Sequence, residues 1–207
     1  RGLKKSGASW KAALSAFGIL HSMVLPVVLF PSAFITSFSG LLIPEVAESR
    51  VLADTARIRR IAFRIFTLSM FFAVGVSGVM LCFSEELGCA VAGTGNVAQT
   101  VLFIRRLAPL IPIMYVDSAV DAILKGMGEQ VYSMNVNIID AAVSVLLVWI
   151  LLPVMGLNGY IIAIYVTETL NTTLSITRML RVTGMRPRLW HQVFGPVTCV
   201  IGATCAS

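Results

Sequence analysis

Apolar runs long enough to cross a bilayer alternate with short charged segments along the chain. A helical span needs about 20 apolar residues. On that measure the pattern predicts five spans, at residues 13–43, 65–83, 107–124, 131–152 and 157–180, and the start of a sixth near Val193. The first run exceeds what a bilayer requires, so it tilts, kinks or protrudes. Pro26 and Pro31 within it, and Pro109 and Pro112 at the start of the third run, each remove a backbone donor and crowd the preceding turn. These four are the candidate hinges. The expected fold is all-α, a polytopic transmembrane helix bundle.

Composition agrees with the pattern. Hydrophobic residues make up 57% of the 207 and charged residues 13%, against about 25% charged in a soluble domain. Mean hydropathy is +0.87. The net charge of +6 does not point to nucleic acid, because the basic residues lie between apolar runs and no aromatic-interleaved basic surface accompanies them.

The placement of those charges predicts an orientation. Arg50, Arg57, Arg59, Arg60 and Arg64 precede the second run; Arg178, Arg181, Arg186 and Arg188 follow the fifth; Lys125 ends the third. The opposite loops offer only Arg105 and Arg106. The richer group is expected on the cytoplasmic side. The N-terminal Arg1, Lys4, Lys5 and Lys11 run against this, but the interior charges sit close to span ends on both flanks and decide it. Residues 55–66 carry one stripe of Arg57, Arg60 and Arg64 beside another of Ile58, Ile61 and Ile65. They read either as an interfacial helix on anionic headgroups or as a solvated extension of the second span.

Polar groups inside the spans are the candidate chemistry. An ionised acid in hydrocarbon costs several kcal/mol, so such residues usually face a bundle interior or a water-filled path. Asp117 and Asp121 share one face of the third span, with Ser118 beside them. Lys125 follows Asp121 at i+4 and offers to neutralise it, whereas Asp117 has no local partner. In the fourth span Asn137, Asp140 and Ser144 form one stripe, with Asp140 roughly 14 Å in at the usual helical rise. In the fifth, Glu168, Thr172 and Ser175 do the same. Interhelical hydrogen bonding accounts for the Asn, Ser and Thr; Asp140 and Glu168 are harder to explain without a polar pathway. His21 is the lone ionisable side chain between Lys11 and Glu45. It is either a hydrogen-bonding core residue or, on an aqueous cavity, a group that binds an anion or titrates near neutrality. The candidate substrate or ion pathway is therefore Asp117, Asp121, Asp140, Glu168, His21 and Asn137, with no catalytic residue.

Soluble-enzyme signatures are missing: there is no HExxH, P-loop, nucleophile elbow or Cys-x-x-Cys. No cofactor and no metal is expected. His191 beside Trp190 lies in a basic segment suited to membrane anchoring. Cys82, Cys89, Cys199 and Cys205 lack metal spacing; Cys82 and Cys89 either pair near one membrane face or serve as small apolar residues.

Several stretches, taken in order, resemble a known family. They are Phe17-Gly18-Ile19-Leu20, LPVVLFPSAFITSFSGLLIPEVAES (25–49), LAPLIPIMYVDSAVDAILKGMGEQ (107–130), NIIDAAVS (137–144) and LLPVMGLNGYIIAIYVTETLNTTLS (151–175). Together they look like the second half of the stage V sporulation B family of polysaccharide flippases, within the multidrug/oligosaccharidyl-lipid/polysaccharide exporter superfamily. The resemblance implies about fourteen spans in two six-helix lobes around a central cavity, with two further C-terminal helices. On that alignment residues 1–183 are most of the second lobe, and 184–207 an interfacial segment leading into a further, truncated helix. A chain that starts without Met is then expected to be an internal piece of a longer protein. The implied activity is alternating access that carries a lipid-linked saccharide precursor across the cytoplasmic membrane, for peptidoglycan, spore cortex or exopolysaccharide. The implied partners are that amphiphilic substrate, membrane lipids and a coupling proton or sodium ion. One position departs from the pattern: where related lipid-diphosphate flippases carry a cavity arginine before the first proline of this span, the chain has His21 before Pro26.

Three other readings remain beside it. A drug/cation antiporter of the same superfamily suits an acid-lined cavity. A non-transporting membrane scaffold suits the apolar composition. A membrane glycosyltransferase would need catalytic acids in a water-exposed loop, where the sequence offers only Glu85 and Glu86.

Overall fold

The computed structural model describes residues 10–92 and 96–184. Within them the chain is all-α, with no strand. The order is α1 (Trp10–Ile19), a π-helical turn (Leu20–Val24), α2 (Leu25–Leu29), α3 (Ser32–Val51), α4 (Thr55–Cys82), α5 (Ser84–Ala92), α6 (Val97–Leu107), a 3₁₀ turn (Ala108–Leu110), α7 (Ile111–Gly126), α8 (Gln130–Met155) and α9 (Leu157–Thr183). The expected interfacial segment and sixth span fall outside the described residues.

Three helical stretches are long and apolar enough to cross a membrane: Thr55–Cys82, Val97–Gly126 and Gln130–Leu152. The pair Ser15–Leu29 and Ser32–Val51, bent by 47°, makes a fourth if it counts as one broken span. These helices mark a membrane-associated protein. The fifth expected span forms a 27-residue helix, α9. Its length suffices, but Asn158, Glu168, Asn171 and its threonines keep it from matching the others in apolarity.

The prolines act where the backbone ladder breaks. Pro26 has no N–H for the Ser22 carbonyl, and Leu25 donates instead to Leu20, five residues back. That is the π turn, and it contains His21. Pro31 stands at the bend ahead of α3. Pro109 lies in the 3₁₀ turn and Pro112 in the first turn of α7. Together they tighten a span that otherwise runs on from Val97 to Gly126. Pro44, inside α3, is a further break that the sequence pattern did not single out.

The α7 stretch is the centre of the bundle. Tyr115, Ala119, Val120 and Ile123 are fully buried, and α3, α4 and α9 pack around it. The Tyr115 hydroxyl donates to the Val28 carbonyl at 2.7 Å, next to the Pro31 break. By contrast α8 packs mainly on α9 and leaves Trp149, Val145 and Val131 exposed, as a face turned to lipid does.

Residues 55–66 continue the second span without interruption, which resolves the two sequence readings in favour of the extension. Asp54 caps the helix by accepting the Arg57 N–H at 2.9 Å. Ile58, Ile61 and Ile65 are buried while Arg60 and Arg64 stay exposed. At the far end the expected outer loop is partly helical, as α5, and Arg105 and Arg106 form the last turn of α6. Cys82 and Cys89 are both free and exposed, so the expected alternative of a bond between them is not formed.

Candidate functional site

The two carboxylates of α7 each reach a different neighbour. Asp117 Oδ2 accepts from the Asn171 side-chain amide of α9 at 3.1 Å. The Ser175 hydroxyl faces the same carboxyl. The other oxygen, Oδ1, is buried and has no hydrogen-bond partner. One turn on, Asp121 is held by Lys125 at 2.6 Å and accepts from the Ser133 hydroxyl of α8. The local neutralisation expected from the i,i+4 spacing is present, together with an interhelical bond. Asp117 and Asp121 thus stitch α7 to the α8–α9 hairpin.

Asp140 and Glu168 extend the same seam. Both are partly buried, and Asp117, Asp140 and Glu168 lie within range of one another's charge. Asp140 Oδ1 is buried without a partner. The three carboxyls come from α7, α8 and α9, and none is fully exposed, as a polar group avoiding hydrocarbon requires. Such a seam offers hydrogen-bond acceptors and negative charge to a polar species or cation between the helices. Asn137 is the exception among the acidic stripes: it is exposed on α8, while Ser144 of its stripe is partly buried.

His21 lies apart from the carboxylates. Its Nε2 shares a 2.8 Å hydrogen bond with the Tyr160 hydroxyl of α9. Its ring sits 4.4 Å from that of Phe17.

Sequence reasoning missed Asn171, Ser133 and Tyr160. Asn171 is buried and, three residues after Glu168 and four before Ser175, lies on the helix face they share, so the spacing that marks that stripe was the signal for it. Ser133 stands too near the start of its span to attract notice. What these side chains meet follows only from packing between distant segments: α9 on α7 for Asn171, α8 on α7 for Ser133 and α9 on the π turn for Tyr160.

Charged pairs gather at the two ends of the bundle. At one end Arg57 meets Glu45 at 3.4 Å and Glu48 at 3.8 Å, and Arg59 donates to the Gly184 carbonyl at 3.0 Å. Arg178 donates to Glu129 at 2.8 Å and lies 5.0 Å over the Tyr132 ring. At the other end Arg105 meets Glu85 at 3.0 Å, and Arg106 donates to Asn158 at 2.5 Å. An open cleft of about 790 Å³ runs beside the second group, between α5 and α6. No set of three or more His, Cys, Asp or Glu among the described residues is arranged to hold a metal ion.

Comparison with family models, curated proteins and solved structures gave no match.

Proposed function

We propose that the chain is part of a multi-pass transporter of the cytoplasmic membrane that flips a lipid-linked saccharide precursor by alternating access. The observation that carries this reading is the seam of Asp117, Asp140 and Glu168, three carboxyls from three helices, two of them with a buried oxygen left unpaired. Buried unpaired acceptors are costly in a passive anchor. A helix pair held to the bundle through polar links can change its pairing as a substrate or coupling ion passes. The 47° bend at Pro31 and the π turn before Pro26 give the first span two places where its ladder is already interrupted. The family resemblance supplies the substrate class; of the two outer acids that the glycosyltransferase alternative would use, Glu85 pairs with Arg105 and Glu86 is exposed.

On this reading the Arg57, Lys125 and Arg178 end is cytoplasmic and the Glu85–Arg105 end faces outward. The seam is the pathway, and Pro26 and Pro31 are its hinges. A second reading, a drug/cation antiporter, is favoured by the same carboxylates: they suit a cation better than a diphosphate. A scaffold without transport would leave them idle.

The test is reconstitution into liposomes with a fluorescent lipid-linked oligosaccharide and with a cationic dye. Transbilayer movement of the lipid above protein-free vesicles supports flipping. Movement of the dye alone replaces it with cation export. Movement of neither, in protein shown to be folded, leaves the scaffold.

A further inference from the structure

Phe17, His21 and Tyr160 form a three-ring cluster from two helices that are remote in sequence. Ring centroids are 4.4 Å apart for Phe17–His21, 5.5 Å for Phe17–Tyr160 and 5.6 Å for His21–Tyr160, and all three pairs are tilted or edge-on. Such contacts normally mark a core. Here Phe17 and His21 are exposed and Tyr160 is half-buried. A Cβ added to Gly18, between the first two rings, would meet nothing within 4 Å, so the helix surface beside them is open. The Ser22 hydroxyl is spent on the Gly18 carbonyl at 2.6 Å.

The polar edge of the cluster is fixed. Nε2 of His21 is engaged by Tyr160 at 2.8 Å, which leaves Nδ1 and a lone pair of the phenol for a ligand. The π turn that carries His21 follows from Pro26, and such turns recur at functional sites. Two aromatic faces beside a strip of bare backbone, with two hydrogen-bonding atoms at the rim, match one kind of ligand. A pyranose ring has an apolar face of C–H bonds, which meets the negative face of an aromatic ring, and a rim of hydroxyls. An acyl chain would gain nothing from the imidazole and phenol edges. A bare diphosphate would favour a guanidinium fork.

The geometry points to a saccharide platform: Phe17 and His21 stack the sugar of the lipid-linked substrate, and Tyr160 holds His21 in place. This rests on the transport reading above and adds the part of the substrate that is recognised. The platform is separate from the carboxylate seam, so the two are separable by substitution.

The experiment uses the whole protein in nanodiscs and two probes, farnesyl diphosphate and farnesyl diphosphate carrying one N-acetylglucosamine. The sugar-bearing probe is expected to bind roughly three- to tenfold more tightly, the size of one stacking contribution. Phe17→Leu, at an exposed position, keeps apolar bulk and removes the ring face; it is expected to abolish the preference and leave farnesyl diphosphate binding unchanged. Phe17→Trp is expected to retain the preference, and Tyr160→Phe to reduce it. Equal binding of both probes by the wild-type protein, or a preference that survives Phe17→Leu, assigns the rings to packing alone and overturns the platform. Flipping by the wild-type protein is measured in parallel. Equal binding of both probes by a wild-type protein that flips sinks the platform only, whereas absent flipping sinks the transport reading.

Discussion

The hydroxyl of Ser77 donates to the carbonyl of Ala108 at 2.8 Å, and Ala108 is the acceptor that Pro112 has no N–H to serve. Ser77 is fully buried in α4. The neighbouring carbonyl of Arg106 is met by the Tyr165 hydroxyl at 2.5 Å. The break in the central span is therefore braced from α4 and α9, as membrane helices with internal proline require. Ser77→Ala is expected to destabilise the protein by about 1–2 kcal/mol, because it deprives a buried acceptor of a partner. Thermal unfolding in detergent, read against the exposed substitution Ser22→Ala, checks this. An unchanged midpoint would show that the 3₁₀ bond from Ile111 to Ala108 satisfies the carbonyl unaided.

Gly159, in the first turn of α9, lies close against the backbone of α8. A Cβ there would come within 2.5 Å of the Leu151 carbonyl oxygen. Backbone cannot step aside as a flexible side chain does, so Gly159→Ala is expected to cost about 1–3 kcal/mol, the range for overpacking. Gly78→Ala, where added bulk meets nothing within 4 Å, is the matched control and is expected to be neutral or slightly stabilising. Equal midpoints for the two variants would mean that the hairpin adapts.

The orientation is open to labelling. Cys89 is exposed near Glu85 and is expected to react with an impermeant maleimide in intact cells. With the native cysteines replaced, Arg59→Cys is expected to react only after permeabilisation. Ready labelling at position 59 from outside would reverse the assignment.

Much of this architecture was legible because lipid imposes a simple code. Apolar length located the α4, α7 and α8 spans, and the four-residue spacing of Asp117 and Asp121 put them on one face. What stayed hidden depends on packing between distant segments. Asn171 reaches Asp117 across 54 residues of sequence, and nothing local to either marks the pair. The amphipathic stretch 55–66 was ambiguous because an interfacial helix and a helical extension bury the same isoleucines; the burial of Ile58 and Ile61 against the bundle removes the ambiguity. The composition of α9 shows the limit of hydropathy: a helix that buries Thr167, Asn171, Thr172 and Ser175 inward need not be as apolar as one that faces lipid.

If the seam serves the proposed transport, the charge at position 117 matters more than the shape of the side chain. Asp117→Asn keeps the shape of the side chain and removes its charge, and an amide at 117 still accepts from Asn171 through its carbonyl oxygen. Folding and membrane insertion are therefore expected to persist while transport falls by at least tenfold, because the unpaired Oδ1 no longer offers a carboxylate to the seam. Asp121→Asn is expected to be milder in transport, since Lys125 already holds that carboxylate at 2.6 Å; its cost falls on the α7–α8 contact with Ser133. The double exchange Asp117→Asn with Asn171→Asp keeps one carboxylate and one amide in the 3.1 Å pair but moves the charge to α9. Partial recovery in the exchange would show that the seam needs a carboxylate at this depth and not at one backbone position. Full activity of Asp117→Asn alone, read as transbilayer movement of the lipid-linked oligosaccharide in liposomes, would make the deep carboxylate structural and remove the observation on which the proposed function stands.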